Sequence, residues 1–173
     1  YEQAGQDLVK KSGGVTKERI MNDPAFQRTR ENMKEFGLAA KISKEFRSIF
    51  REVNKTMGEH RLQGHVTGLM KKVNSKSSGL RGKRSFEVSL YSDSLKGIEF
   101  NREVPFETVF FAPYDPIVFN VDRDIFTWNI PVFNTDSFIN SPEGSTHFKL
   151  IMLGGTLSDY HYNAGSDAFE ASQ

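Results

Sequence analysis

The chain has no cysteine, a single tryptophan, and no apolar run approaching the roughly 18–20 residues of a membrane-spanning helix. Without cysteine there are no disulfides, no thiol catalysis and no thiolate metal site. Catalytic signatures are missing too. No Gly-x-Ser-x-Gly elbow presents a serine nucleophile, and neither Gly13-Gly14 nor Gly154-Gly155 runs on into the Gly-Lys-Ser/Thr of a phosphate loop. Acids are scarce in the first half and bases in the second: residues 1–86 carry 19 Lys+Arg against 9 Asp+Glu, and residues 87–173 carry 4 against 13. The net charge of +1 therefore conceals halves of +10 and −9.

What is abundant is phenylalanine, 15 of 173 residues, which gives burial without a polar group to satisfy. With 37% hydrophobic and 26% charged residues, the chain suits one domain, or one domain with a helical appendage. Tyr1 is not a natural start, so residues upstream are expected to be missing.

Periodicity divides the chain. The start, YEQAGQDLVKKSGG, reads as a hairpin that turns at Ala4-Gly5-Gln6, returns through Leu8-Val9 and breaks at Gly13-Gly14. Asp23 and Pro24 then cap and open a helix carrying Phe26, Met33 and Phe36 up to Gly37. A second helix is expected over 38–57, with Ile42, Phe46, Ile49, Phe50, Val53 and Met57 on one stripe. A third, over 60–73, carries Leu62, Val66, Leu69, Met70 and Val73 but is weakened by Gly64 and Gly68. Residues 74–85, rich in Ser, Gly and basic side chains, read as a hinge-like linker. Beyond it the period changes to two. Strands are expected at 86–91, 107–112, 117–121, 125–130, 146–153 and 156–163, with turn signals between them. The expectation is an α+β chain: an N-terminal hairpin and basic helical segment (1–73), a basic linker (74–85), and an antiparallel β-sandwich or open-barrel domain (86–173).

Two stretches resemble an uncharacterised family of bacterial proteins of unknown function. NDPAFQRTRENMKEFG at 22–37, with AAKISKEFR at 39–47, is similar to the opening helix of that family, and YEQAGQDLVKKSGGV fits the hairpin that precedes it. PEGSTHFKLIMLGG at 142–155 is similar to a later Gly-Thr-Thr-His-Phe-Lys-Leu-like segment. Together these matches cover about two-thirds of the chain. The resemblance implies the same architecture and truncation at both chain ends, including part of a C-terminal strand. It implies no activity.

Candidate binding residues follow from the charge. Arg28, Arg30, Lys34, Lys41, Lys44, Arg47 and Arg51 give the helical segment a basic surface suited to protein–protein contacts. Arg28 and Arg30 point about 200° apart on a helix, so they do not grip one anion together, and salt bridging within or between chains is the economical reading. Lys71, Lys72, Lys76, Arg81, Lys83 and Arg84 place six cations in 14 residues, the best nucleic-acid candidate. No aromatic interleaves them and no nucleic-acid-binding motif surrounds them.

The histidines give no metal signature: His60 and His65 are five apart, and His147 and His161 fall on different expected strands. The Asp122-Arg123-Asp124 turn lacks the further carboxylates of a calcium loop. The sequence reading is thus a non-enzymatic structural or assembly protein without cofactor, forming charge-complementary contacts with other subunits or copies of itself. The alternative is a nucleic-acid-associated protein using residues 71–84.

Overall fold

A computed structural model describes residues 14–172 apart from Arg123, together with the pairing of Glu2–Gln3 and Gln6–Asp7. The fold is mixed helix and strand, and is assembled around one long helix. The two N-terminal strands, β1 (Glu2–Gln3) and β2 (Gln6–Asp7), pair antiparallel as the hairpin reading expects, with Gln6 already in the return strand. Leu8, Val9 and Gly13 lie outside the described residues. Thr16 then caps α1 (Lys17–Asn22), its hydroxyl accepting from the Arg19 N–H at 3.3 Å. Asp23 ends that helix, and its carboxylate accepts from the Ala25 N–H at 2.9 Å to start the turn that leads into α2 (Gln27–Ile49).

Helix α2 is continuous through Gly37, where the sequence predicts a break. A Cβ at Gly37 would meet nothing within 4 Å, so no tight turn requires a glycine there, and the helical ladder on either side carries it through. The interruption comes instead at Phe50, with φ −102° and ψ 32°, before α3 (Arg51–Met57). Helix α4 (Leu62–Lys76) follows. Glu35 meets Lys71, and Ser43 accepts from the Thr67 hydroxyl at 3.0 Å, so α4 runs antiparallel to α2. Leu38, Ala39 and Ile42 of α2 pack with Leu62, Val66, Met70 and Val73 of α4 to form the core.

The period-2 region folds differently from a sandwich. Val88–Tyr91, expected as a strand, forms the short helix α5, and Phe106–Val109 forms α6. Strands β3 (Val118–Phe119) and β4 (Phe126–Thr127) make a two-residue ribbon, α7 spans Thr135–Phe138, and 146–153 takes no regular form. Only β5 (Tyr160–Asn163) and β6 (Ala168–Ala171) give a four-residue pairing. Three two-stranded sheets are present among the described residues, and they close into neither a sandwich nor a barrel. Alternation of apolar residues permits a strand, but the strand persists only where a neighbour accepts its hydrogen bonds.

The β5–β6 hairpin is tied to the helices. Phe86, fully buried, exchanges backbone hydrogen bonds with Tyr160 at 2.8 and 2.9 Å. The Tyr160 hydroxyl donates to both Glu45 oxygens at 2.7–2.8 Å, and the Lys41 ammonium sits 4.6 Å from its ring centre. Asp167, at the hairpin turn with φ 49°, accepts from Lys34 at 2.7 Å.

Candidate interaction surface

The basic residues were the obvious place for a site, and most of them have partners within the chain. Arg28 donates to Glu31 at 3.1 Å. Arg30 points the other way and donates to the carbonyls of Ile20 (2.7 Å) and Asp23 (2.9 Å), covering the C-terminal end of α1 with positive charge. Lys34 and Lys41 serve the β5–β6 hairpin, as described above. Arg47 is half-buried, and its Nε finds no acceptor. Lys44 and Arg51 stay exposed and make no ion pair among the described residues.

The run at 71–84 is likewise bound to its own chain. Its anchor is Glu35, buried to 1% exposure on α2. This carboxylate accepts from the Lys71 ammonium and from the Gly82 N–H at 2.8 Å, and lies 3.6 Å from the Arg84 guanidinium. Burial alone would push its pKa up, but these three donors outweigh that and hold it below the usual glutamate value. Arg81 donates to Asn32 at 2.8 Å and lies 3.8 Å from Glu31. Lys83 sits over the Tyr162 ring at 4.9 Å, and Lys76 donates to Ser94 at 3.1 Å. Lys72 is exposed.

The residues read as a linker thus form a fastened loop. Asn74, fully buried, donates to the carbonyls of Arg84 and Ser85, both at 2.9 Å, while Gly79 and Gly82 supply the positive φ that turns the chain. Neither Glu35 nor Asn74 could be assigned this role from one sequence. Apart from Lys71, which also donates to Asn74 from three positions away, the partners that fasten the loop lie 10 to 49 positions off, and no local pattern marks the pairing.

The histidines do not converge. No group of three His, Asp or Glu side chains able to hold a metal occurs among the described residues. His65 Nε2 lies 3.3 Å from the Arg102 guanidinium, and its Nδ1 lies 2.7 Å from Glu59. His161 contacts Ser85 at 3.2 Å and His147 contacts Thr146 at 2.9 Å. Around the Asp122–Asp124 turn, Asn120 accepts from the Asp124 and Ile125 N–H groups at 3.1 and 3.0 Å. This is turn capping, and Arg123 lies outside the described residues.

What stands open is apolar. Of the 22 large hydrophobic side chains exposed among the described residues, 14 fall in the 50 residues from 104 to 153. The β3–β4 ribbon alone exposes Val118, Phe119, Val121 and Ile125. Two recesses open on this segment. One, of about 530 Å³, lies between Val53 and Met57 of α3 and Phe100, Phe110 and Phe148. The other, about 280 Å³, is lined by Phe106, Tyr114, Ile117, Trp128 and 151–153. Trp128 packs edge-on to Tyr114 at 5.4 Å, and its indole N–H is shielded from solvent and finds no acceptor among the described residues.

The area makes the same point. The chain exposes 13060 Å², whereas folded monomers of 19.6 kDa expose roughly 8,600 Å². A concentration of exposed hydrophobic side chains such as that at 104–153 ordinarily marks an interaction site. No helix among the described residues is long and apolar enough to cross a membrane. No family model, curated protein or solved structure matches the chain, so what it does must be read from its own residues.

Proposed function

We propose that the chain is a non-enzymatic assembly protein whose 104–153 segment is covered by another protein subunit. The concentration of exposed hydrophobic side chains in that segment carries this reading. The excess of roughly 4,500 Å² over a folded monomer is surface that a monomer of this mass does not ordinarily leave open. Charge complementarity takes a smaller part than composition suggests. Arg28, Arg30, Lys34 and Lys41 are already engaged within the chain, leaving Lys44 and Arg51 for steering at long range. In the finer architecture we propose, segments such as 146–153 complete a sheet only against a subunit.

Light scattering coupled to size exclusion at low and high salt tests the reading. The expected result is a mass above 19.6 kDa that persists at high salt, because apolar contacts are not screened. A multimer that dissolves in salt would return the interface to the basic helices. A monomer under every condition, with no mass gained, would sink self-assembly. The absorbance ratio of the same peak checks for bound nucleic acid, which Lys71, Arg81 and Arg84, held on Glu35 and Glu31, are poorly placed to grip.

A further inference from the structure

Helix α2 has a second face that the core does not use. Its buried side carries Glu35, Leu38, Ala39 and Ile42. On the opposite side, at helical spacing, run Met33, Phe36, Gly37, Ala40 and Lys44. Met33 and Phe36 are 55% and 57% exposed, and a Cβ at Gly37 would meet open space. The β5–β6 hairpin fastens through Lys34, Lys41 and Glu45 and leaves this stripe bare. A helix of a globular protein ordinarily turns charge outward here. This one turns out an apolar strip ending in the exposed Lys44.

From these features we infer a head-to-tail contact between copies of this chain. The outer stripe of α2, led by Met33 and Phe36, docks on the 104–153 surface of the next copy, with Phe36 entering the recess beside Trp128. The inference rests on the assembly reading above and names the partner as a second copy. Charge supports that choice. Helix α2 holds Lys44 out to solvent, and segment 104–153 carries six carboxylates against two cations. Size supports it as well. The recess of about 280 Å³ holds one aromatic side chain and is walled by Phe106, Tyr114 and Trp128. Area supports it a third time, since a chain with one donor and one acceptor face covers surface at both, and roughly 4,500 Å² stands open beyond a folded monomer's share. A knob and a recess at different places on one molecule make a heterologous contact, which closes into a ring or runs on as a filament.

Two variants test it, Phe36→Glu for the knob and Ile117→Glu for the recess, with Met33→Glu as a second knob variant. All three positions are exposed, and circular dichroism checks that helix content is kept. Each variant alone is expected to run as a monomer. Phe36→Glu keeps a working recess and Ile117→Glu a working knob, so their mixture is expected to give a dimer of twice the monomer mass and nothing larger. The emission of Trp128, the only tryptophan, should shift to the blue on mixing. If Phe36→Glu and Met33→Glu keep the wild-type multimer, the head-to-tail contact is wrong while the assembly reading survives. An assembly lost in Ile117→Glu alone would point to symmetric pairing of the 104–153 surface with itself. If the wild-type chain is a monomer throughout, both inferences fall together.

Discussion

Glu35 shows how much a single side chain organises here. It is the most buried charge among the described residues, and it holds Lys71, the Gly82 N–H and Arg84 around one carboxylate. Its folded pKa is lowered, so the stability it contributes is fully present above the ordinary glutamate range and is lost as pH falls through the folded value. Thermal midpoints followed from neutral pH downward should therefore fall once pH drops below about 5, and the Glu35→Gln variant should lose that dependence. At neutral pH the same variant should cost roughly 2–3 kcal/mol in urea unfolding, less than the roughly 3–5 of a fully buried pair, because Lys71 and Arg84 keep contact with water. Gly82 depends on the same site: with φ +83°, a Cβ there would stand 3.0 Å from the Glu31 Cα. Gly82→Ala should destabilise by at least the roughly 1–2 kcal/mol of a left-handed alanine, with urea midpoints again the readout. Gly144, equally positive in φ but with open space around it, supplies the contrast and should show the strain without the clash.

At the scale of elements, the helical segment was legible in the sequence. Strands β3, β4 and β5 fall inside those expected at 117–121, 125–130 and 156–163, whereas 86–91 and 107–112 contain short helices and 146–153 takes no regular form. Ile42, Val66, Met70 and Val73 sit in the core where the 3.6-residue spacing places them. The pattern missed the continuity of α2 through Gly37, because an exposed glycine costs a helix only about 1 kcal/mol and flanking turns absorb it. Strand readings depend on partners that spacing cannot see. Phe86 and Val88 are buried as an inward strand face would be, but Leu90 is 72% exposed and the backbone between them coils into α5. Nor could the basic run be seen as a fastened loop, since the carboxylates that hold it are on α2. The β5–β6 hairpin docks through Tyr160, whose burial and hydrogen bond to Glu45 push its pKa from 10.0 up to about 12. A raised phenol pKa means stability present below pH 10 and lost as pH rises toward 12. Tyr160→Phe should remove that alkaline loss and cost roughly 1–2 kcal/mol at neutral pH, measured by denaturant unfolding with hairpin protection followed by hydrogen exchange.

For the molecule as a whole, the surface left open is the dominant fact. Charge segregation was visible in composition, but its use was not: most of the basic side chains are spent on internal contacts, and the open face is apolar. If copies cover that face, association stabilises only the folded form. The melting temperature should then rise with protein concentration, by scanning calorimetry over a wide concentration series, and a flat response would contradict assembly through folded subunits. Diluted below its association range, the chain should bind hydrophobic dyes at 104–153 and aggregate more readily. The buried Asn74 carries a different kind of consequence. It is followed by Ser75, a small residue whose backbone nitrogen can attack the asparagine side-chain carbonyl carbon, expel ammonia and close a succinimide, which water then opens to leave a carboxylate. Within α4, with both Asn74 amide protons given to the Arg84 and Ser85 carbonyls, that geometry is out of reach. Each aspartate that accumulates at position 74 during storage therefore records an occasion on which this end of the helix came apart, and the ageing of a sample, read by peptide mass, becomes a clock for its opening.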